Sequence, residues 1–129
     1  ILQVDHAPGM ALALNSMLLL NIDGTLIVFP AWPSNKDISF HSLRAPGAIL
    51  ASGEHRGGKI THLALQPLSD GNIRMLNPFN PLSYGLKHKI KVQVVCNSKV
   101  VSEHKLRFRE LLEWYAYEKN VYFIKPVIG

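Results

Sequence analysis

Residues able to do chemistry are sparse and scattered along this sequence. Six histidines (His6, His41, His55, His62, His88 and His104) stand far apart, and Cys96 is the one cysteine. No HxxxH or HxH spacing and no cysteine pair brings two ligands to one ion, so neither a metal site nor a cofactor is expected. GxSxG, P-loop and dinucleotide patterns are absent, and Gly57-Gly58 reads as a hairpin turn rather than a phosphate cradle. Trp32, Trp114, Tyr115 and Tyr117 carry flat rings that match the apolar faces of pyranose sugars. Core packing is the simpler reading, because Trp114 and Ala116 alternate with Tyr115 and Tyr117 as in a half-buried strand. One carboxylate, Asp5, precedes Pro8-Gly9 and a long apolar run. Taken alone it is a helix-entry residue whose charge suits the helix dipole.

Charge and composition narrow the classes. A chain of 129 residues with 47% hydrophobic and 18% charged residues fits one globular domain with a real core. The net charge is +5. Lys87, Lys89 and Lys91 alternate along one segment and Lys105, Arg107 and Arg109 along another, which on strands places each trio on one face. Such a face is either solvated, its cations discouraging edge pairing, or a contact for phosphate or an anionic polysaccharide. The solvated face is the simpler reading, and no nucleic-acid partner is expected. A single cysteine excludes an internal disulfide. No membrane partner is expected either: the longest apolar run, Met10 to Leu20, falls short of the ~20 residues of a span and is interrupted by Asn15-Ser16.

Elements that must position these residues change character once. Residues 8–20 predict a helix, entered at Pro8-Gly9, apolar nearly all round and ended by Asn21 and Asp23-Gly24. From Thr25 the pattern is that of strands, with a first run to Phe29 that stops at Pro30. Strands follow at 38–43, 48–55 and 59–65, the last two joined by Gly57-Gly58, then at 72–76 after Asp70-Gly71. Residues 77–85, "NPFNPLSYG", read as a loop. The clearest alternation puts Ile90, Val92, Val94 and Cys96 inward, and after the Asn97-Ser98-Lys99 turn Leu106 and Phe108 continue that core. A closing hairpin is expected to pair 113–118 with 121–125. Eight or nine short strands after one helix predict an antiparallel β-sandwich preceded by an N-terminal α-helix.

The order of several segments resembles a known family. "QVDHAPGMALALNSMLLLNIDGTLIVFPAWP", then "SFHSLRAPGAILASGEHRGGKI" and "RMLNPF", with a closing "EKNVYFIKP", is similar to the C-terminal end of six-hairpin (α/α-toroid) glycoside hydrolases of the α-L-fucosidase type. In that family a helical toroid ends in an Asp-containing stretch and an "MLL" helix, and a strand ending hhPAhP and an "LRAxGG" segment begin a C-terminal β-sandwich. The resemblance implies that residues 1–24 are the tail of a helical catalytic toroid and 25–129 the β-sandwich after it. The start of the chain, apolar from Ile1 and without Met, would then be a fragment boundary.

Further expectations follow from the resemblance. Asp5 falls where the family places the aspartate that serves the hydrolytic water as part of the general base, although His6-Ala7-Pro8-Gly9 follows it in place of a Gly/Asn-rich turn. His6 and Trp32 are the candidate substrate-binding residues. An inverting glycosidase needs its acid and base roughly 6.5–9.5 Å apart, and the acid would lie on the toroid, so this chain alone is not expected to be an enzyme. Its expected partners are the helical catalytic domain of the same polypeptide, an oligo- or polysaccharide bound through the parent, and a second copy docked through helix 8–20. The parent would be an exported bacterial hydrolase of carbohydrate metabolism. The alternatives are a carbohydrate-binding module, marked by coplanar exposed rings, and an interaction domain using a basic sheet face.

Overall fold

The computed structural model describes residues 2–4, 17–45 and 47–128. Two sheets enclose the core. The larger runs β1 (Leu2–Val4), β4 (Ile38–Ala45), β5 (Ile49–Arg56), β6 (Lys59–Pro67), β11 (Tyr122–Val127), β8 (Ile90–Cys96) and β9 (Lys99–Leu106) in spatial order. The smaller runs β10 (Leu111–Ala116), β7 (Gly71–Leu76), β3 (Thr25–Val28) and β2 (Leu19–Ile22). Pairing is antiparallel except for β1 with β4 and β3 with β7. Inward side chains of both sheets join one buried cluster that includes Leu26, Ile38, Leu63, Leu65, Met75 and Tyr122, the mainly β architecture the alternation predicts.

Hairpin turns obey their chemistry. Gly57-Gly58 (φ 62° and 84°) joins β5 to β6, and Asn97-Ser98 (φ 52° and 64°) joins β8 to β9. Positive φ at both central residues gives the turn the twist of the strands it links. Ile90, Val92, Val94, Cys96 and Leu106 are buried as expected.

Four expectations need correction. No helix covers 17–24: Met17 and Leu18 are helical, but Leu19–Ile22 is a strand paired with β3. Asp23-Gly24, φ 51° and 82°, is the hairpin turn between them and not a helix stop. Pairing with a sheet that buries Leu18, Leu19, Leu26 and Val28 outweighs the helix propensity of the leucines. Residues 8–16, with Asp5 and His6, lie outside the described residues, as does the docking face expected of them.

The closing hairpin does not exist. β10 pairs with β7 in the smaller sheet, β11 lies between β6 and β8 in the larger, and Lys119 (φ 69°) with Asn120 carries the chain across the sandwich. Phe108 is 39% exposed rather than core, because β9 ends at Leu106. Residues 107–110 form a turn in which the Glu110 N–H donates to the Arg107 carbonyl (3.2 Å), and the Glu110 carboxylate accepts from the Arg107 N–H (2.7 Å). Neither basic trio is a strand face, because each runs past the end of its strand. Lys87 and Lys89 precede β8, Arg107 and Arg109 follow β9, and only Lys91 and Lys105 lie on strands.

Irregularities in the larger sheet shape one end of the molecule. A bulge sets His41 and Ser42 opposite Ser52, whose Oγ accepts the Ser42 N–H at 2.9 Å. Beside it the Phe40 ring lies on Gly53, where a Cβ would meet Cζ at 2.9 Å. This close approach lets Phe40 pack on Phe29, centroids 5.4 Å apart.

Candidate functional site

Three loops meet at that end and enclose a cleft of about 200 Å³ between the sheets. The first follows β3. Phe29 takes a left-handed backbone (φ 54°), unusual for a bulky residue, and turns the chain out of the sheet while its ring stays in the core. The Trp32 indole Nε1–H then donates to the Lys36 carbonyl (2.7 Å), and the Asp37 carboxylate accepts from the Gly57 N–H (3.0 Å), which pins this loop to the β5–β6 turn. Trp32 is thereby half-buried in the cleft wall.

The second wall is the stretch after β7. Asn77 is fully buried; its Nδ2 donates to the Arg107 carbonyl (2.9 Å) and its Oδ1 accepts from the Phe79 N–H (3.1 Å). Its own N–H donates to the Glu110 carbonyl (2.7 Å), and its carbonyl accepts from the Arg109 N–H (2.9 Å). A 3₁₀ turn over Pro81–Tyr84 comes next, with the Asn80 Oδ1 accepting from the Leu82 N–H and Gly85 closing it at φ 76°. Tyr84 donates its hydroxyl to the Ile60 carbonyl at 2.7 Å, under the Lys59 ammonium 5.5 Å from the ring centroid. Burial pushes the Tyr84 hydroxyl up to about 12, so it stays a neutral donor.

The third wall is the 107–110 turn. Arg109, at φ 71°, lays its guanidinium over the Phe108 ring at 4.8 Å and donates from Nη2 to the Pro30 carbonyl at 3.4 Å. The lining therefore carries three aromatic rings with free surface (Trp32, Tyr84, Phe108) and two cations (Lys59, Arg109); no Asp or Glu of the described residues contributes to it. Such a surface binds anions and the apolar faces of rings. It has no carboxyl pair for proton transfer to a glycoside.

His55, only 8% exposed, forms part of the wall against Phe29, with ring centroids 5.5 Å apart, and its Nδ1 has no partner. Burial lowers its pKa from 6.5, outweighing the Lys36 carbonyl and the Asp37 charge, both of which favour the protonated ring. The unfolded chain thus takes up the proton more readily than the folded one. The stability His55 contributes is complete above the unfolded pKa and is lost as the pH falls below 6.5 toward the folded value. Urea midpoints measured at pH about 7.5 and about 5.5 should fall further for the wild type than for His55→Gln. Equal falls would remove His55 as the cause.

Of the two substrate-binding residues expected from sequence, Trp32 is in the cleft and His6 lies outside the described residues; His55, Gly58 and Arg109, noted in the sequence for other reasons, line it as well. Trp114 is buried, as its alternation implies, and packs on Tyr122 with centroids 5.9 Å apart. Tyr115 and Tyr117 are exposed, but their planes meet at 68°, so they do not form the flat platform of a binding module. Sequence reading missed Lys59, Tyr84 and Phe108 as site residues and assigned Arg109 to a sheet face. One signal for them was the long strandless stretch around "NPFNPLSYG", since loops on a rigid scaffold carry function.

Among the described residues no three His, Cys, Asp or Glu side chains gather into a metal-binding group, and no helix is long and apolar enough to cross a membrane. Set against known proteins, the chain matches no protein-family model and no curated protein.

Proposed function

We propose that this chain is the accessory, non-catalytic β-sandwich of a glycoside hydrolase, supporting a helical catalytic domain of the same polypeptide and shaping its substrate cleft. One observation carries the reading. Three of the four segments on which the family resemblance rests, all but the closing one, are far apart in sequence yet contribute to one place. Phe29, Pro30 and Trp32 come from the first, His55, Gly58 and Lys59 from the second, Pro78 and Phe79 from the third, and all line the same cleft.

The chemistry fits a supporting role. Inverting hydrolysis needs two carboxyl groups on opposite sides of the sugar, whereas this cleft offers rings and cations that hold a substrate without transferring protons to it. In the parent, Asp5 would accept the proton of the attacking water and the toroid would supply the acid.

Aryl-glycoside assays test this on two polypeptides. The isolated chain should release no product, and a longer polypeptide carrying the helical domain should hydrolyse fucoside-type substrates with inversion, read by NMR of the first-formed anomer. A positioned base contributes about 10²–10⁴-fold, so Asp5→Asn in the longer protein should lower kcat by that factor. A change within about twofold would end the assignment of Asp5, and hydrolysis by the isolated chain would end the accessory role.

A further inference from the structure

The cleft continues into a second depression that shares Asn80 and Phe108 with it and is lined by Lys87, His88 and Arg107. Four permanent cations (Lys59, Arg109, Lys87 and Arg107) therefore border one continuous surface. The ion pairs among the described residues join Arg56 to Glu54 and Lys91 to Glu103, so none of these four is neutralised within 4.0 Å. Glu110, the acidic residue of the same turn, is held by the Arg107 N–H. Uncompensated cations around aromatic rings call for a ligand that is both anionic and ring-shaped.

From this arrangement we infer that the surface binds an acidic oligosaccharide through the carboxylates of its uronic-acid units. That the rings are sugars rests on the glycoside-hydrolase reading above; that they are anionic rests on the four cations. The primary cleft, at about 200 Å³, lies below the ~300–1,000 Å³ that encloses a drug-sized molecule, so it takes one ring. That ring lies against Trp32, Tyr84 and Phe108, and its carboxylate meets Arg109, whose planar fork matches a carboxylate, and Lys59. The next unit emerges over Phe108 toward Lys87 and Arg107. A sugar hydroxyl reaching the wall would also relieve the unpartnered Nδ1 of His55.

Titration calorimetry with trigalacturonate, its fully methyl-esterified form and inorganic phosphate tests the inference. Esterification keeps the rings and removes the charge. Trigalacturonate should bind with a sub-millimolar Kd, at least about tenfold tighter than either control, and more weakly as sodium chloride rises from about 50 to about 500 mM. Arg109→Gln and Trp32→Ala should each weaken it about tenfold or more. Lys59→Gln, at an exposed position whose ammonium lies over the Tyr84 ring but makes no hydrogen bond or ion pair among the described residues, should weaken it severalfold with folding intact. Lys99→Gln, at the far end of the β8–β9 hairpin, should leave the Kd within about twofold.

No binding of trigalacturonate, equal binding of acid and ester, or equal loss in Lys99→Gln and Lys59→Gln would overturn the inference. Phosphate binding as tight as trigalacturonate would overturn the assignment to a uronate. The accessory-domain reading fails on a different result, the absence of hydrolysis by the longer polypeptide, so the two failures are distinguishable.

Discussion

Tyr122→Ala is expected to lower the unfolding free energy by about 3–5 kcal/mol, the usual range for removing a large buried aromatic side chain. Tyr122 is 2% exposed and sits on β11 in the middle of the larger sheet. Its ring meets Trp114 of the smaller sheet at 5.9 Å, so the pair joins the two layers. Its hydroxyl accepts the Tyr117 N–H at 2.8 Å, just before the crossover at Lys119-Asn120. Deleting the side chain leaves a cavity between the sheets and frees the crossover together. Tyr122→Phe keeps the ring and loses only that hydrogen bond, which should cost about 0.5–1.5 kcal/mol. Urea unfolding followed by circular dichroism reads both. An alanine variant within about 1 kcal/mol of the wild type would mean that the sheets do not pack through this pair.

Asn77→Ala should cost about 2–3 kcal/mol, from two lost side-chain hydrogen bonds and partners left unpaired in or near the core. Its effect on the cleft separates this site from an ordinary core position. Asn77 ties the stretch that carries Phe79 and Asn80 to the turn that carries Phe108 and Arg109 with three hydrogen bonds of 2.7 to 2.9 Å from its side chain and backbone, while its Oδ1 braces its own stretch by accepting from the Phe79 N–H at 3.1 Å. Losing the side-chain pair should loosen Arg109 from its place over Phe108, so trigalacturonate affinity should drop although Asn77 touches no ligand. Asn77→Asp is the sharper variant. It keeps the acceptor for the Phe79 N–H but turns an oxygen toward the Arg107 carbonyl in a fully buried position, and it should be at least as destabilising. A variant that unfolds at the wild-type urea midpoint would show that the backbone bonds alone hold the two loops together.

Strand existence was legible in the sequence because it is a local property. Alternation at Ile90–Cys96 reports one buried face, and Gly57-Gly58 and Asn97-Ser98 supply the positive φ that tight hairpins require. Both kinds of signal lie within a few residues and survive in any fold that uses the segment as a strand. Asp23-Gly24 shows the limit of such signals. The same pair can stop a helix or turn a hairpin, and the leucines before it are good helix formers. Only the neighbouring strand, with hydrogen-bond partners and a core for Leu19, decides for β2.

Which strands pair, and what their loops build, was decided by the tertiary structure. Residues 113–118 and 121–125 have the spacing of a hairpin. The chain instead crosses the sandwich at Lys119-Asn120, because β7 offers β10 a six-residue register and β11 fills the place between β6 and β8. Phe108 continues an inward alternation on paper, but the turn at 107–110 ends β9 first and swings the ring into the cleft beside Arg109. The cleft joins Trp32, Lys59, Tyr84 and Arg109 from four separate stretches of chain, and no period or spacing connects them. Periodicity along the chain reports which way a side chain faces within its own element. Convergence of distant loops depends on how the elements stack, which long-range packing of the two sheets determines.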